Sequence, residues 1–359
     1  MSELLAAVVH GAGDVRVDRV PAVEPGPGEV EIAIGWGGIC GSDLHYVHDG
    51  RVGDFPVRAP MVLGHEVSGT VARLGEGVRD LEPGEPVAID PTRPCLVCAS
   101  CRAGRSNLCT DVRFLGSAAR VPHVDGGFRE RLVVRADQCL PLPDGLDPGV
   151  AVLAEPLAVA LHAVARAGPL QGRAVLVCGA GPIGALVAVA ARHAGAADVV
   201  VTDVLDEPLA VVRRLGATAT VNVAAGSGTA PPGAALPTTE PDTAPAVPAV
   251  DVAIEASGAP AALATALAAV RPGGRVVLLG MGPGPTVPLG ANRVVTREVD
   301  VVGSFRFGPE FARAVRALAD GLDLGPLVTG RRPLADAVDA FAAAADRRTA
   351  MKVLLAISP

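Results

Sequence analysis

A strand that runs directly into a glycine-rich turn and then a helix limits the fold of this chain more than any other feature. The strand ending at Val177 continues into Gly179-Ala180-Gly181-Pro182-Ile183-Gly184 and an Ala/Val-rich helix. Around it, strand-like segments recur at Arg173–Cys178, Ala197–Thr202, Thr218–Val223, Val250–Ala256 and Gly274–Leu279, with helical stretches between most of them. That alternation is the signature of a parallel α/β sheet. Glycines 179, 181 and 184 permit a tight turn and let backbone amides and the helix N-terminus approach a pyrophosphate. A lone G-x-G-x-x-G carries little weight. Here a second strand ends at Asp203, 19 residues past Gly184. An acid at that place hydrogen-bonds both ribose hydroxyls and repels a 2′-phosphate. Val204, Leu205, Asp206 and Glu207 follow, with no nearby Arg to receive that phosphate. NAD is therefore expected rather than NADP.

At 359 residues the chain exceeds one compact core, and two domains are expected. From Glu29 to Leu142 short strands alternate with Gly/Pro turns, a β-rich texture that gives way to the α/β pattern near Ala151. After Arg297 come another strand (Val299–Phe305), a helix near Pro309–Asp320, and a last helix and strand. Residues 1–150 and 297–359 are read as one domain, with 151–296 a nucleotide domain inserted into it. Residues 226–248, mostly Ala, Pro, Thr, Gly and Ser, are read as a flexible surface loop without chemistry.

The net charge of −7 and the absence of a basic stripe argue against a nucleic-acid surface. No apolar run approaches the roughly 20 residues of a membrane helix. The N-terminal stretch reads as a strand pair through Val20 and lacks signal-peptide character, so a cytoplasmic location is expected.

Four of the seven cysteines, Cys95, Cys98, Cys101 and Cys109, crowd into C-x2-C-x2-C-x7-C within a lobe at about residues 93–112. Such spacing favours metal over disulfides. Four thiolates suit a tetrahedral zinc, and with all four positions filled none is left for substrate, so the site reads as structural. An iron–sulfur cluster is the rival reading.

Two further motifs carry chemistry. Cys40 lies in GGICGSDLH, and Gly64-His65-Glu66 opens G-H-E-x2-G-x5-G-x2-V, completed by Gly69, Gly75 and Val78. With the cysteine lobe and the nucleotide turn, these motifs resemble the zinc-dependent medium-chain dehydrogenase/reductase family over essentially the whole chain. The resemblance implies an α/β fold in which a GroES-like, β-rich catalytic domain carries an inserted Rossmann domain. It implies two zinc ions per subunit and hydride transfer from an alcohol to NAD. Carried over by position, Cys40 and His65 are catalytic zinc ligands. Where alcohol dehydrogenases of the family supply a further cysteine, this chain has Ala154-Glu155-Pro156-Leu157. That departure resembles the polyol and threonine dehydrogenase branches, in which Glu66 and Glu155 complete the site. Which of the two touches the metal stays open.

Ser42 is expected to take the hydroxyl proton and pass it through the cofactor ribose towards His45. Segments such as DVRFLGSA, PHVDGGF and GSFRF resemble the L-idonate 5-dehydrogenases of the polyol branch. By that resemblance Tyr46, Phe114, His123 and Arg306 are substrate-pocket candidates. Arg306 would pair with a sugar-acid carboxylate or steady the nicotinamide. A sorbitol/xylitol or L-threonine dehydrogenase is the alternative, and the branch suggests a homodimer or homotetramer. Cys139 and Cys178 read as core.

Overall fold

The computed structural model describes residues 3–224, 227–228, 247–282, 284 and 286–358. The chain forms two compact units, Met1–Glu155 with Gly308–Pro359, and Pro156–Phe307. The second unit runs past 297 because Asp300–Gly303 pairs in parallel with Val270–Leu278 and so extends its sheet. Of the expected loop 226–248, residues 226 and 229–246 lie outside the described residues. Ser227–Gly228 pairs antiparallel with Ala219–Asn222.

The first unit is built on a mainly antiparallel seven-stranded sheet. Glu29–Gly38 lies at its centre, paired with Glu66–Leu74 on one side and with Arg131–Arg135 and Lys352–Ala356 on the other. The C-terminal strand thus closes onto the N-terminal part of the chain, which explains why an insertion between them leaves the unit intact. Alternation along Glu29–Gly38 sends Ile32 and Ile34 into a core shared with Val67, Ile89, Phe128, Phe341 and Val353. Glu3–Gly11 pairs with Asp14–Pro21 and with Met61–Val62 in a smaller sheet.

In the second unit the strand order is Ser227–Gly228, Ala219–Asn222, Asp198–Asp203, Ala174–Cys178, Val250–Glu255, Val270–Leu278, Asp300–Gly303. All but the first pair are parallel. The chain starts at the central Ala174–Cys178, winds outward on one side and returns to build the other. Nucleotides bind at such a switch point, outside the carboxyl ends of the strands. Near-continuous burial of Val175, Leu176 and Val177, and of Val252, Ala253 and Ile254, fits strands covered on both faces. Among the described residues no helix is long and apolar enough to cross a membrane.

Candidate functional site

Cys40 caps the helix Gly41–Asp49 with extended backbone, and Asp43 Oδ2 accepts from its N–H at 3.0 Å. The other oxygen of Asp43 accepts from Gly64 N at 3.3 Å and lies 3.7 Å from His65 Nδ1. Asp43, fully buried, therefore ties the helix start to the turn that carries His65 and Glu66. Gly64 holds φ at 97°, and a Cβ there would drive into the Phe128 ring. The result gathers one ligand atom each from Cys40, His65 and Glu66 within 4.8 Å of one another.

The surroundings favour a cation. Burial works against charge on His65, yet the Asp43, Cys40 and Glu155 charges together hold its pKa well above the ordinary value. Glu155, at the start of the helix Ala154–Ala167, is buried and stands outside the three-residue ligand cluster. Desolvation pushes its carboxyl up to about 8, with the neighbouring Glu66 adding to the effect and His65 opposing it. Buried Glu66 Oε2 has no hydrogen-bond partner, while His65 Nδ1 faces Asp43 Oδ1 at 3.7 Å. An orphaned acceptor of this kind is costly unless something pairs with it. A thiolate, an imidazole and a carboxylate fit zinc with a position open for substrate.

Sequence reasoning missed Lys352. Its Nζ donates to Glu66 Oε1 at 2.6 Å and to Ile39 O at 3.0 Å. Burial lowers the ammonium's pKa, but Glu66 and Cys40 more than offset this and leave it raised. No local motif signals this residue, which arrives from the far end of the chain.

The expected substrate residues separate into two groups. The Phe114 ring lies 5.4 Å from that of His65, so it borders the cluster. Tyr46 is 4% exposed, packs in the core and accepts from Ala118 N at 3.0 Å. His123 Nε2 accepts from Arg58 N at 2.8 Å while Nδ1 bonds Arg120 O at 2.7 Å. Both ring nitrogens thus bond backbone groups of the neighbouring loops. Ser42 is half-buried in the first helical turn, and the exposed His45 bonds Asp49 Oδ2 through Nδ1 at 2.8 Å.

The cysteine lobe is closed. Ligand sulfurs of Cys95, Cys98, Cys101 and Cys109 lie within 4.8 Å of one another, and all are free thiols. Backbone amides aim at them: Cys98 N at Cys95 Sγ, Cys95 N and Asp111 N at Cys109 Sγ, each at 3.3 Å. Amide donors from Cys101 and Thr110 pull the Cys98 thiol down to about 6, which readies it as a thiolate ligand. Cys139 and Cys178 are core thiols, each pushed up to about 12 by burial.

In the second unit Gly181 caps the helix Pro182–His193, and a Cβ at Gly184 would run into the Gly179 carbonyl, so the helix packs this close only with glycine. Asp203 ends its strand beside the turn. Its Oδ2 accepts from Ala180 N at 2.7 Å, and its Oδ1 from Val204 N and Leu205 N at 2.7 and 3.2 Å. A further unforeseen residue is Glu255, a buried carboxylate that accepts from Ser257 N at 2.8 Å and Gly258 N at 3.0 Å and so fixes the opposite wall of the switch point. Arg306 follows Asp300–Gly303 with a left-handed φ of 54° and stacks its guanidinium 4.8 Å from the Phe305 ring.

Residues 26–144 match the family model of the alcohol dehydrogenase GroES-like domain, and 182–320 that of the zinc-binding dehydrogenases. L-idonate 5-dehydrogenase (NAD(P)(+)) of Escherichia coli is 41% identical over 320 residues, 89% of each chain. The chain belongs to the zinc-dependent medium-chain dehydrogenase family. The dehydrogenase is also 40% identical to sorbitol dehydrogenase of Bos taurus over 364 residues, covering 99% of this chain and 97% of that one. The crystal structure of the Escherichia coli L-idonate enzyme superposes with a TM-score of 0.89 at 38% identity, covering 99% of both chains. That of 2R,3R-butanediol dehydrogenase from Bacillus subtilis gives 0.83 at 29% identity, covering 99% of this chain and 100% of that one. The dehydrogenase is an enzyme of the polyol and sugar-acid class, with zinc and a nicotinamide dinucleotide as its cofactors.

Proposed function

We propose that the dehydrogenase oxidises a secondary alcohol of a sugar acid, L-idonate to 5-keto-gluconate, with NAD as acceptor. The observation that carries the chemistry is the Cys40–His65–Glu66 cluster with the unpaired, buried Glu66 Oε2. When bound, zinc would supply Lewis-acid polarisation of the reacting hydroxyl and the nicotinamide would supply a hydride acceptor. Cys40, His65 and Glu66 would hold that zinc, with the buried Glu155 outside this cluster as the further candidate ligand. Cys95, Cys98, Cys101 and Cys109 hold the structural one. Ser42 Oγ would accept the hydroxyl proton and release its own through the cofactor ribose towards His45, which bonds Asp49. Gly179, Gly181, Pro182, Ile183 and Gly184 cradle the pyrophosphate, while Asp203 takes the ribose.

The carboxylate preference rests on Arg306 and on the likeness to the Escherichia coli L-idonate enzyme. A guanidinium pairs bidentately with a carboxylate but poorly with hydroxyls alone. The left-handed backbone of Arg306 is uncommon for a non-glycine residue and marks a place where position is constrained. Sorbitol oxidation is the second reading, favoured by the 40% identity that spans nearly the whole chain.

Steady-state comparison of L-idonate, D-gluconate, sorbitol, xylitol and L-threonine tests the choice. L-idonate should exceed sorbitol at least about tenfold in kcat/KM, the scale of one charged hydrogen bond. Arg306→Ala should erase most of that margin and leave zinc content unchanged. If sorbitol or threonine wins, the carboxylate reading fails.

We also propose a homodimer or homotetramer. Among the described residues Asp300–Gly303 ends its sheet at an open edge, and Met281, Leu289 and Val295 are exposed in the same unit. Open edges and exposed apolar side chains favour pairing with another copy. Light scattering that returns the 36.0 kDa monomer mass overturns this.

A further inference from the structure

We propose that Lys352 is a positioning residue of the Cys40–His65–Glu66 centre: by holding one oxygen of Glu66 it prevents that carboxylate from closing on the metal with both, and so preserves a coordination position for substrate. The inference rests on reading that centre as a zinc site.

The Glu66 carboxylate is confined by Gly38 on one side and held by Lys352 on the other. Gly38 faces Glu66 across one strand pair and Leu354 across the other, and a Cβ on Gly38 would strike Glu66 Oε2. Lys352 Nζ donates to Oε1 at 2.6 Å, which leaves Oε2 as the oxygen without a partner. The same ammonium donates to Ile39 O at 3.0 Å, the carbonyl immediately before Cys40. One side chain therefore ties together the two segments that carry the ligands.

Lys352 is 3% exposed and Glu66 fully buried. A buried ion pair is weak as a stabilising device, since an apolar pair of similar volume often does as well. A cation beside a metal site has a further effect, because it repels the metal through a poorly screening interior. Lys352 thus works in two ways on one centre, occupying Oε1 and opposing excess negative charge at the metal. A carboxylate freed of it has both oxygens available.

This fixes a sign that a purely structural role would not give. A structural lysine, once removed, should loosen the site and speed metal loss. On the present reading its removal should tighten the metal while slowing turnover.

The experiment uses the full-length, zinc-loaded wild type, Lys352→Met and Lys352→Arg. The rate at which the more labile zinc passes to a chelator is measured, with the absorption spectrum of the cobalt-substituted centre and kcat. Lys352→Met should lose that zinc at least about tenfold more slowly. Its cobalt bands should weaken, as a higher coordination number requires, and kcat should fall with zinc retained. Lys352→Arg keeps the cation and should stay close to wild type in zinc loss. Should Lys352→Met fail to fold, Lys352→Leu, which likewise offers Glu66 no donor, should show the same sign. Zinc loss at the wild-type rate or faster, with an unchanged cobalt spectrum, overturns the proposal. A wild-type chain holding only the cysteine-lobe zinc overturns the underlying zinc reading instead, and is told apart by metal content alone.

Discussion

Asp203 Oδ2 accepts from Ala180 N at 2.7 Å, so the acid that ends the second parallel strand also buttresses the glycine turn after the first. Cofactor choice and the shape of the phosphate cradle are thereby coupled through one carboxylate. Asp203→Asn retains an acceptor for Ala180 but removes the charge that repels a 2′-phosphate. The ratio of kcat/KM for NAD over NADP should fall about tenfold, the scale of a charged hydrogen bond. An unchanged ratio, or a wild type that prefers NADP, refutes the role given to Asp203.

Phe128 fills the space over Gly37 and Gly64 and tilts against Phe341 with ring centroids 6.2 Å apart. It is fully buried, so Phe128→Ala removes core packing and also the prop beneath the turn that presents His65 and Glu66. The expected cost is about 3–5 kcal/mol in unfolding free energy. Labile zinc should be lost faster as well. A loss of stability with unaltered zinc retention would show that the ring supports the core but not the turn.

Glu31 lies opposite Arg73 in the central strand pair and accepts from its Nε at 2.7 Å and from Arg131 at 3.1 Å. The Arg73 hydrogen bond holds this carboxyl below its usual range, with burial partly opposing. A depressed carboxylate pKa stabilises the fold above the unfolded value and loses that contribution as the pH falls. Glu31→Gln should therefore cost about 1–2 kcal/mol at pH 7, modest because both guanidinium partners are half exposed. The gap should shrink below about pH 4.5. Denaturation midpoints that stay equally separated at pH 7 and pH 4 would rule the ion pair out as the cause.

Local signals were the legible ones. The cysteine lobe, the glycine turn and the G-H-E motif each complete their geometry within a short stretch, so spacing alone conveys it. Lys352 sits 286 residues from Glu66, and only the pairing of the C-terminal strand with Glu29–Gly38 brings them together. Asp43 and Glu255 were silent for a related reason, since a buried carboxylate that accepts backbone amides looks in sequence like any other acid. Tyr46 and His123 were named by resemblance, which conveys a residue type at a position but not the bond of Tyr46 to Ala118 N or those of His123 to the Arg58 and Arg120 backbone. The domain boundary near 297 moved because Asp300–Gly303 gains its partner from the sheet before it.

Zinc content measured alongside activity during mild chelation tests the central claim most directly. Four thiolates with amide support should hold zinc far more tightly than one thiolate, one imidazole and one carboxylate. Each chain should begin with two zinc ions, and activity should vanish with the first while the cysteine lobe stays folded. A single zinc per chain, or activity that persists until the lobe itself unfolds, would contradict the account.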